Sequence, residues 1–276
     1  SDAGQVQNIT GCNISGNTAA PINSVVHIGG TQGGKQVFAN STYGGISANG
    51  TGLLIDGGSG TTGNGSGASL GCCVRVYDTF LGPGVASGGG AAYGVRVTGG
   101  VSLVDITGGQ IGDITGANNI ALVSVDGGSQ TVHFGGGLYF EFGASGVGEA
   151  GTDGILISNS TGVTFNDFLI QRNGSSNTLN NCFHITNNAA QLFIEGTQHG
   201  SSPCATNQIK NDITGYALAA QGGSSMNYYF PGGESGTGFL IDGPLFGGAS
   251  SPLNAIQTQT ISGNTTYVLP TFALTT

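Results

Sequence analysis

The most regular feature of this chain is a short triplet with hydrophobic residues at its first and third positions, and polar turns separate the triplets. Clear examples are residues 95–97 (VRV), 155–157 (ILI) and 183–185 (FHI). An alternation with a period of two turns one side of an extended strand inward and the other outward. Each triplet therefore predicts a short β-strand with one buried face, and the segments rich in Gly, Asn, Ser and Thr between triplets predict turns.

The layout of triplet, turn and second triplet recurs along the chain at intervals of roughly 20 to 35 residues, as in solenoid proteins. A short strand cannot bury its hydrophobic face alone, but stacked coils bury a continuous column and pair every strand with its neighbours. We therefore predict an all-β chain that folds as a right-handed parallel β-helix over residues 1–247. The alternative is an antiparallel sandwich or jelly roll, which is also built from many short strands.

The pattern changes near the C-terminus, where residues 244–252 (PLFGGASSP) interrupt it. Residues 256–261 and 266–270 look extended but lack the triplets. Because the end of a solenoid exposes unpaired strand edges, we predict that residues 248–276 form a short strand segment that caps the solenoid or joins subunits. At the other end, residues 5–17 already look like part of a coil, so we expect further chain upstream.

The composition narrows the choice of partners. Of 276 residues 55 are Gly, only 7% are charged, and 5 Lys and Arg stand against 14 Asp and Glu, for a net charge of −9. So few cations argue against nucleic acid, whose phosphates need Lys and Arg contacts, and against acidic polysaccharides. Neutral glycans and protein partners remain. No apolar run has the length of a membrane-spanning helix, so membrane insertion is not expected.

Two segments carry a family resemblance: residues 8–17 (NITGCNISGN) and 154–163 (GILISNSTGV). Coils of this composition, which cover nearly the whole chain, resemble the pectate-lyase-like β-helices of bacteriophage tailspikes and tail fibres. The resemblance implies a homotrimer on the virion surface that contacts other virion proteins and binds or degrades host surface polysaccharide. Secreted bacterial adhesins use similar coils, so an extracellular adhesin is an alternative.

Catalytic candidates are few. Glycoside hydrolysis needs two carboxyl groups about 5–9.5 Å apart on either side of one bond. If the chain is a polysaccharide depolymerase, Glu141, Asp167 and Glu195 are the candidates, with Glu141 and Glu195 separated by the coil that carries Gln171. Asp at turns more often binds its own backbone, and no Ser-His-Asp arrangement or phosphate-binding loop is present. We therefore expect a structural, receptor-binding protein without catalysis, cofactor or metal, and keep the depolymerase as an alternative.

Large hydrophobic residues at outward positions suggest an interface. Alternation turns Tyr139, Leu169, Phe193 and Tyr229 outward, where they are expected to stack as one apolar stripe on successive coils. We interpret this stripe as the seam between subunits, with a platform for sugar rings as the alternative.

The cysteines predict at most two disulfides, because their number, five, is odd. Cys182 and Cys204 flank one predicted coil, and a disulfide between them is a candidate. No spacing of Cys or His is typical of a metal site.

Overall fold

The computed structural model describes residues 7–16, 24–29, 35–46, 49–57, 74–81, 84–85, 93–112, 114–115, 120–142, 153–172, 179–187, 192–199, 204–212, 226–229 and 241–242. Within these ranges the regular structure is entirely β. The strands are β1 (Gln7–Thr10), β2 (Asn13–Ser15), β3 (Ser24–Gly29), β4 (Gln36–Ala39), β5 (Thr42–Gly44), β6 (Thr51–Asp56), β7 (Val74–Tyr77), β8 (Phe80–Leu81), β9 (Gly84–Val85), β10 (Tyr93–Thr98), β11 (Ser102–Thr107), β12 (Gln110–Ile111), β13 (Ile114–Thr115), β14 (Ala121–Val125), β15 (Gln130–Gly135), β16 (Leu138–Phe142), β17 (Asp153–Ser158), β18 (Thr161–Arg172), β19 (Leu179–Thr186), β20 (Leu192–His199), β21 (Cys204–Asn211), β22 (Met226–Tyr229) and β23 (Ile241–Asp242).

The strands stack coil upon coil in parallel sheets. An eight-stranded sheet has the order β23-β21-β19-β17-β14-β10-β6-β3, so each strand pairs with the equivalent strand of the next coil. A 13-stranded sheet contains two such columns, joined because the long strand β18 pairs with β15 along its first half and with β16 along its second. This topology confirms the predicted parallel β-solenoid and excludes the antiparallel sandwich. The predicted segment 248–276 lies outside the described residues.

The core is a column of inward side chains, one from each coil. In the eight-stranded sheet Val95, Val123, Ile155 and Phe183 are register partners in turn, and all four are fully buried. Across the interior, the ring of Phe165 on β18 packs edge-on against Phe183 with 5.3 Å between centroids. These contacts join the two sheets through one dry interior, which is the burial that the alternating triplets predict.

The corners of the solenoid are built from residues with positive φ. The residue directly after each of the strands β1, β4, β7, β11 and β15 adopts the left-handed conformation, with φ of 47° to 68°. These residues are Gly11, Asn40, Asp78, Gly108 and Gly136. Four of their backbone N–H groups each donate to the carbonyl that precedes the corner of the next coil, over 3.0–3.2 Å. Gly, Asn and Asp tolerate this conformation best, which confirms the prediction that such residues mark the turns.

Two further features concern the cysteines and the membrane. Cys182 is buried and disulfide-bonded, whereas Cys12 is exposed and free. The backbone register places Cys204 opposite Leu179 on the neighbouring coil, but its side chain lies outside the described set, so the pairing of Cys182 with Cys204 stays a prediction. The described part of the chain contains no helix of the length and hydrophobicity that spanning a membrane requires.

Candidate functional site

A groove of about 500 Å³ lies on the outer face of the 13-stranded sheet, where β1, β4, β7 and β11 run side by side. This volume is within the range of small-ligand sites, roughly 300–1,000 Å³. The residues that line it are Asn8, Thr10, Lys35, Val37, Arg75, Tyr77, Asp105 and Thr107.

Two rows of side chains run along the groove, because outward positions on a strand lie two residues apart. The first row consists of Asn8, Val37, Arg75 and Asp105. The second row consists of Thr10, Ala39, Tyr77 and Thr107. Neighbouring strands are ~4.8 Å apart, so the four strands span ~14 Å. The groove therefore suits an extended ligand that crosses several coils.

The floor of the groove is apolar and its sides are polar. Val37, on β4, is 8% exposed and forms this floor, whereas Ala39 on the same face is fully buried and does not line the groove. The ring of Tyr77 is 37% exposed beside this floor. Tyr offers an apolar face together with a polar hydroxyl. Such a surface can pack against the apolar face of a sugar ring while hydroxyl and amide groups contact the sugar hydroxyls.

Two cations lie in the groove without a carboxylate partner. Lys35 is half-buried and Arg75 is exposed, and among the described residues neither forms an ion pair. Arg96 and Lys210 behave differently, since each pairs with an aspartate, at 2.9 Å and 3.0 Å respectively. The groove thus has two cations against one carboxylate, Asp105, in a chain whose net charge is −9.

The acidic residue of the groove is held by a different partner. Asp105 is the register partner of both Arg75 and His133. Its Oδ1 lies 2.7 Å from Nδ1 of His133, whose Nε2 contacts Oδ1 of Asn166 on the next coil. Because an ionised carboxylate only accepts hydrogen bonds, Nδ1 of His133 is the donor. This chain of contacts engages Asp105 and continues the polar row beyond the groove.

No family model matches this chain, and no curated protein or solved structure is significantly similar to it. The strand pairing by itself therefore establishes the fold, and functional interpretation rests on the residues of the groove and of the outer faces.

A second polar cluster lies on the eight-stranded sheet. His184 is held between Asp153 at 2.5 Å from Nδ1 and Asp212 at 2.8 Å from Nε2, and Lys210 pairs with Asp212. The hydrogen bond with Asp153 raises the pKa of His184, although burial opposes this. Burial raises the pKa of Asp212, but the hydrogen bonds from His184 and Lys210 outweigh it and lower that pKa. The cluster joins three successive coils.

A related cluster surrounds Asp126 on the same sheet. Burial raises the pKa of its carboxyl, but hydrogen bonds from Arg96, Thr98 and Ser124 outweigh this and keep the pKa below its usual value. Within the described ranges, no three His, Cys, Asp or Glu side chains are grouped so as to hold a metal ion. Within each cluster the charged groups pair with one another, which suits a role in joining coils. Sequence spacing missed them because their members come from different coils.

The predicted catalytic carboxylates do not lie in one row. Glu141 accepts a hydrogen bond from Nε2 of Gln110 at 2.6 Å, and its neighbour Gln171 lies opposite His199 instead of Glu195. Glu195 lies at the register shift between β18 and β20, between the paired residues Ile194 and Gly196. The strand that carries Gln171, β18, does separate β16 from β20 as predicted, but Glu141 and Glu195 lie in different rows.

Asp167 occupies a corner. Its φ is 48°, and its backbone carbonyl accepts a hydrogen bond from the N–H of Gly137 at 2.7 Å. It lies at the register shift within β18, between Phe165 and Phe168. The turn role that Asp commonly has explains this position without a catalytic function.

The predicted apolar stripe is divided. Tyr139 and Leu169 are register partners on β16 and β18, as expected. Phe193 lies in another row, opposite Thr164, and Tyr229 lies in a third. The single stripe is therefore wrong, because coil lengths differ and sequence spacing does not reveal the register. Whether Tyr139 and Leu169 contribute to a subunit seam stays a prediction.

Proposed function

We propose that this chain is a spike or fibre domain that attaches to host surface glycans through the groove on β1, β4, β7 and β11, without cleaving them. The observation that carries the proposal is the groove itself, in which the exposed Tyr77 ring and the apolar floor of Val37 lie among polar side chains. The lining is mostly polar, and Val37 and the Tyr77 ring supply its apolar contacts. Such a surface can pack against one face of a sugar ring while its polar groups bind the sugar hydroxyls. An open face that crosses several coils can follow a glycan chain.

The fold and composition of this domain support a proposed setting on a surface outside the cell. A solenoid with a continuous dry core is a stiff support, because each coil packs on its neighbours. The tailspike-like coils favour a place on a phage virion, as a homotrimer bound to other virion proteins, and an extracellular adhesin is the alternative. The mass of the purified chain in solution, measured by light scattering, tests the trimer.

The glycan proposal is tested on an array of bacterial capsular and O-antigen polysaccharides. The wild-type chain should bind at least one of them, and Tyr77→Ala should weaken that binding by about tenfold or more, as truncation of a central Tyr does at many interfaces. Phe80→Ala is the matched control, because Phe80 is equally exposed, at 39%, but lies outside the groove.

Two outcomes would overturn the proposal. Binding to no polysaccharide refutes glycan attachment, and equal weakening by the two variants refutes the groove as the site. Release of reducing ends from a bound polysaccharide would replace the attachment role with the depolymerase. In that case Glu141, Asp167 and Glu195 would be the first carboxyl groups to substitute.

A further inference from the structure

We propose that the groove selects acidic glycans, and that Lys35 and Arg75 together bind the carboxylate or sulfate group of a sugar. This inference rests on the proposed glycan attachment and specifies its ligand. It also reverses what the net charge alone suggests about acidic polysaccharides.

The positions of the two cations support one shared anion site. Arg75 is the register partner of Val37, and Lys35 precedes Val37 by two residues, so both flank the same part of the apolar floor. Arg presents a planar fork of N–H donors that matches a carboxylate or sulfate, and Lys adds a compact charge. A sugar whose ring rests on the floor would bring an acidic substituent between them.

The lining of the groove holds two cations and one carboxylate, so its local charge is positive although the whole chain is negative. At physiological ionic strength, interactions between exposed charges are largely screened beyond about 8 Å. The carboxylate within the groove, Asp105, is hydrogen-bonded to His133. Lys35 and Arg75 form no ion pair within the described part of the chain, so they need not break an internal contact to bind a ligand.

The experiment compares acidic oligosaccharides with neutral forms of the same sugars, by titration calorimetry at low and high salt. A galacturonate trisaccharide and its methyl ester form the carboxylate arm, and a carrageenan tetrasaccharide and its desulfated form make the sulfate arm. In at least one arm the acidic form should bind about tenfold or more tightly, as for hydrogen bonds to charged groups. This preference should shrink as salt is added.

Variants locate the effect in the groove. Arg75→Gln and Lys35→Gln should each reduce the preference for the acidic form by about tenfold. Lys210→Gln is the control, since it removes the same charge from the eight-stranded sheet, outside the groove. Melting temperatures of all variants establish that they fold.

The outcomes separate this inference from the proposed function. If the acidic forms bind no better than the neutral forms in either arm, the acidic selectivity is wrong. If binding of the array ligand depends on Tyr77 but not on Arg75 or Lys35, the proposed glycan attachment is supported and the proposed anion site is wrong. Absence of binding to every glycan overturns both.

Discussion

Replacing Phe165 with Ala tests the dry column on which the solenoid depends. Phe165 is fully buried, stacks on Phe134 with centroids 4.5 Å apart and planes 2° apart, and packs edge-on against Phe183 at 5.3 Å. The side chain therefore contacts both the preceding coil and the opposite sheet. Its loss leaves a cavity that the surrounding strands cannot fill without shifting.

The expected cost is about 3–5 kcal/mol, the usual range for a buried Phe→Ala substitution. In a solenoid each coil contacts only its neighbours, so the loss should be local. Because about 1.4 kcal/mol corresponds to a tenfold change, opening of β15, β18 and β19 should increase by roughly a hundredfold to several thousandfold. Strands β3 and β6, several coils away, should be little affected.

Hydrogen–deuterium exchange followed by mass spectrometry measures this distribution, because exchange reports local opening. Phe165→Ala should speed exchange in peptides from β15, β18 and β19, and Phe80→Ala, at an exposed position on β8, should not. Equal acceleration in β3 and β6 would mean that the coils open as one unit and would refute the nearest-neighbour reasoning. Unchanged exchange in all peptides would refute the conclusion that the buried column of side chains around Phe165 stabilises these coils.

Two other predictions concern the corners and the charged cluster. Gly109 and Gly100 both have positive φ, but a Cβ at Gly109 would collide with the Thr79 carbonyl, whereas one at Gly100 would meet open space. Gly109→Ala should therefore lower the melting temperature more than Gly100→Ala, which should cost only about 1–2 kcal/mol. Equal losses in the two variants would contradict the predicted clash. Because its pKa is raised in the folded chain, His184 should stabilise fully below its unfolded pKa of about 6.5 and lose this effect as pH rises through the raised value. The deficit in melting temperature of His184→Gln should thus be larger near pH ~5.5 than near pH ~9, and a pH-independent deficit would contradict it.

The sequence by itself determined the strands, the corners and the solenoid class, because these depend on local chemistry. Residues 95–97, 155–157 and 183–185 have hydrophobic residues two positions apart and lie in β10, β17 and β19. Corner residues were also recognisable, since only a few residue types tolerate positive φ. Stacked coils bury the apolar faces of such short strands, and the recurring layout of triplets and turns favoured them over a sandwich. The parallel strand pairing then confirmed that choice.

Only the tertiary structure decided which side chains lie side by side. Coil lengths vary, so residues that look equivalent in sequence, such as Tyr139 and Phe193, fall into different rows. The groove joins Asn8, Arg75 and Asp105, which are far apart in the chain and adjacent only through register. Net charge is likewise a sum over the whole chain, whereas ligand binding depends on the charges within a few ångströms of the ligand. The stacking of the coils sets the positions of those charges.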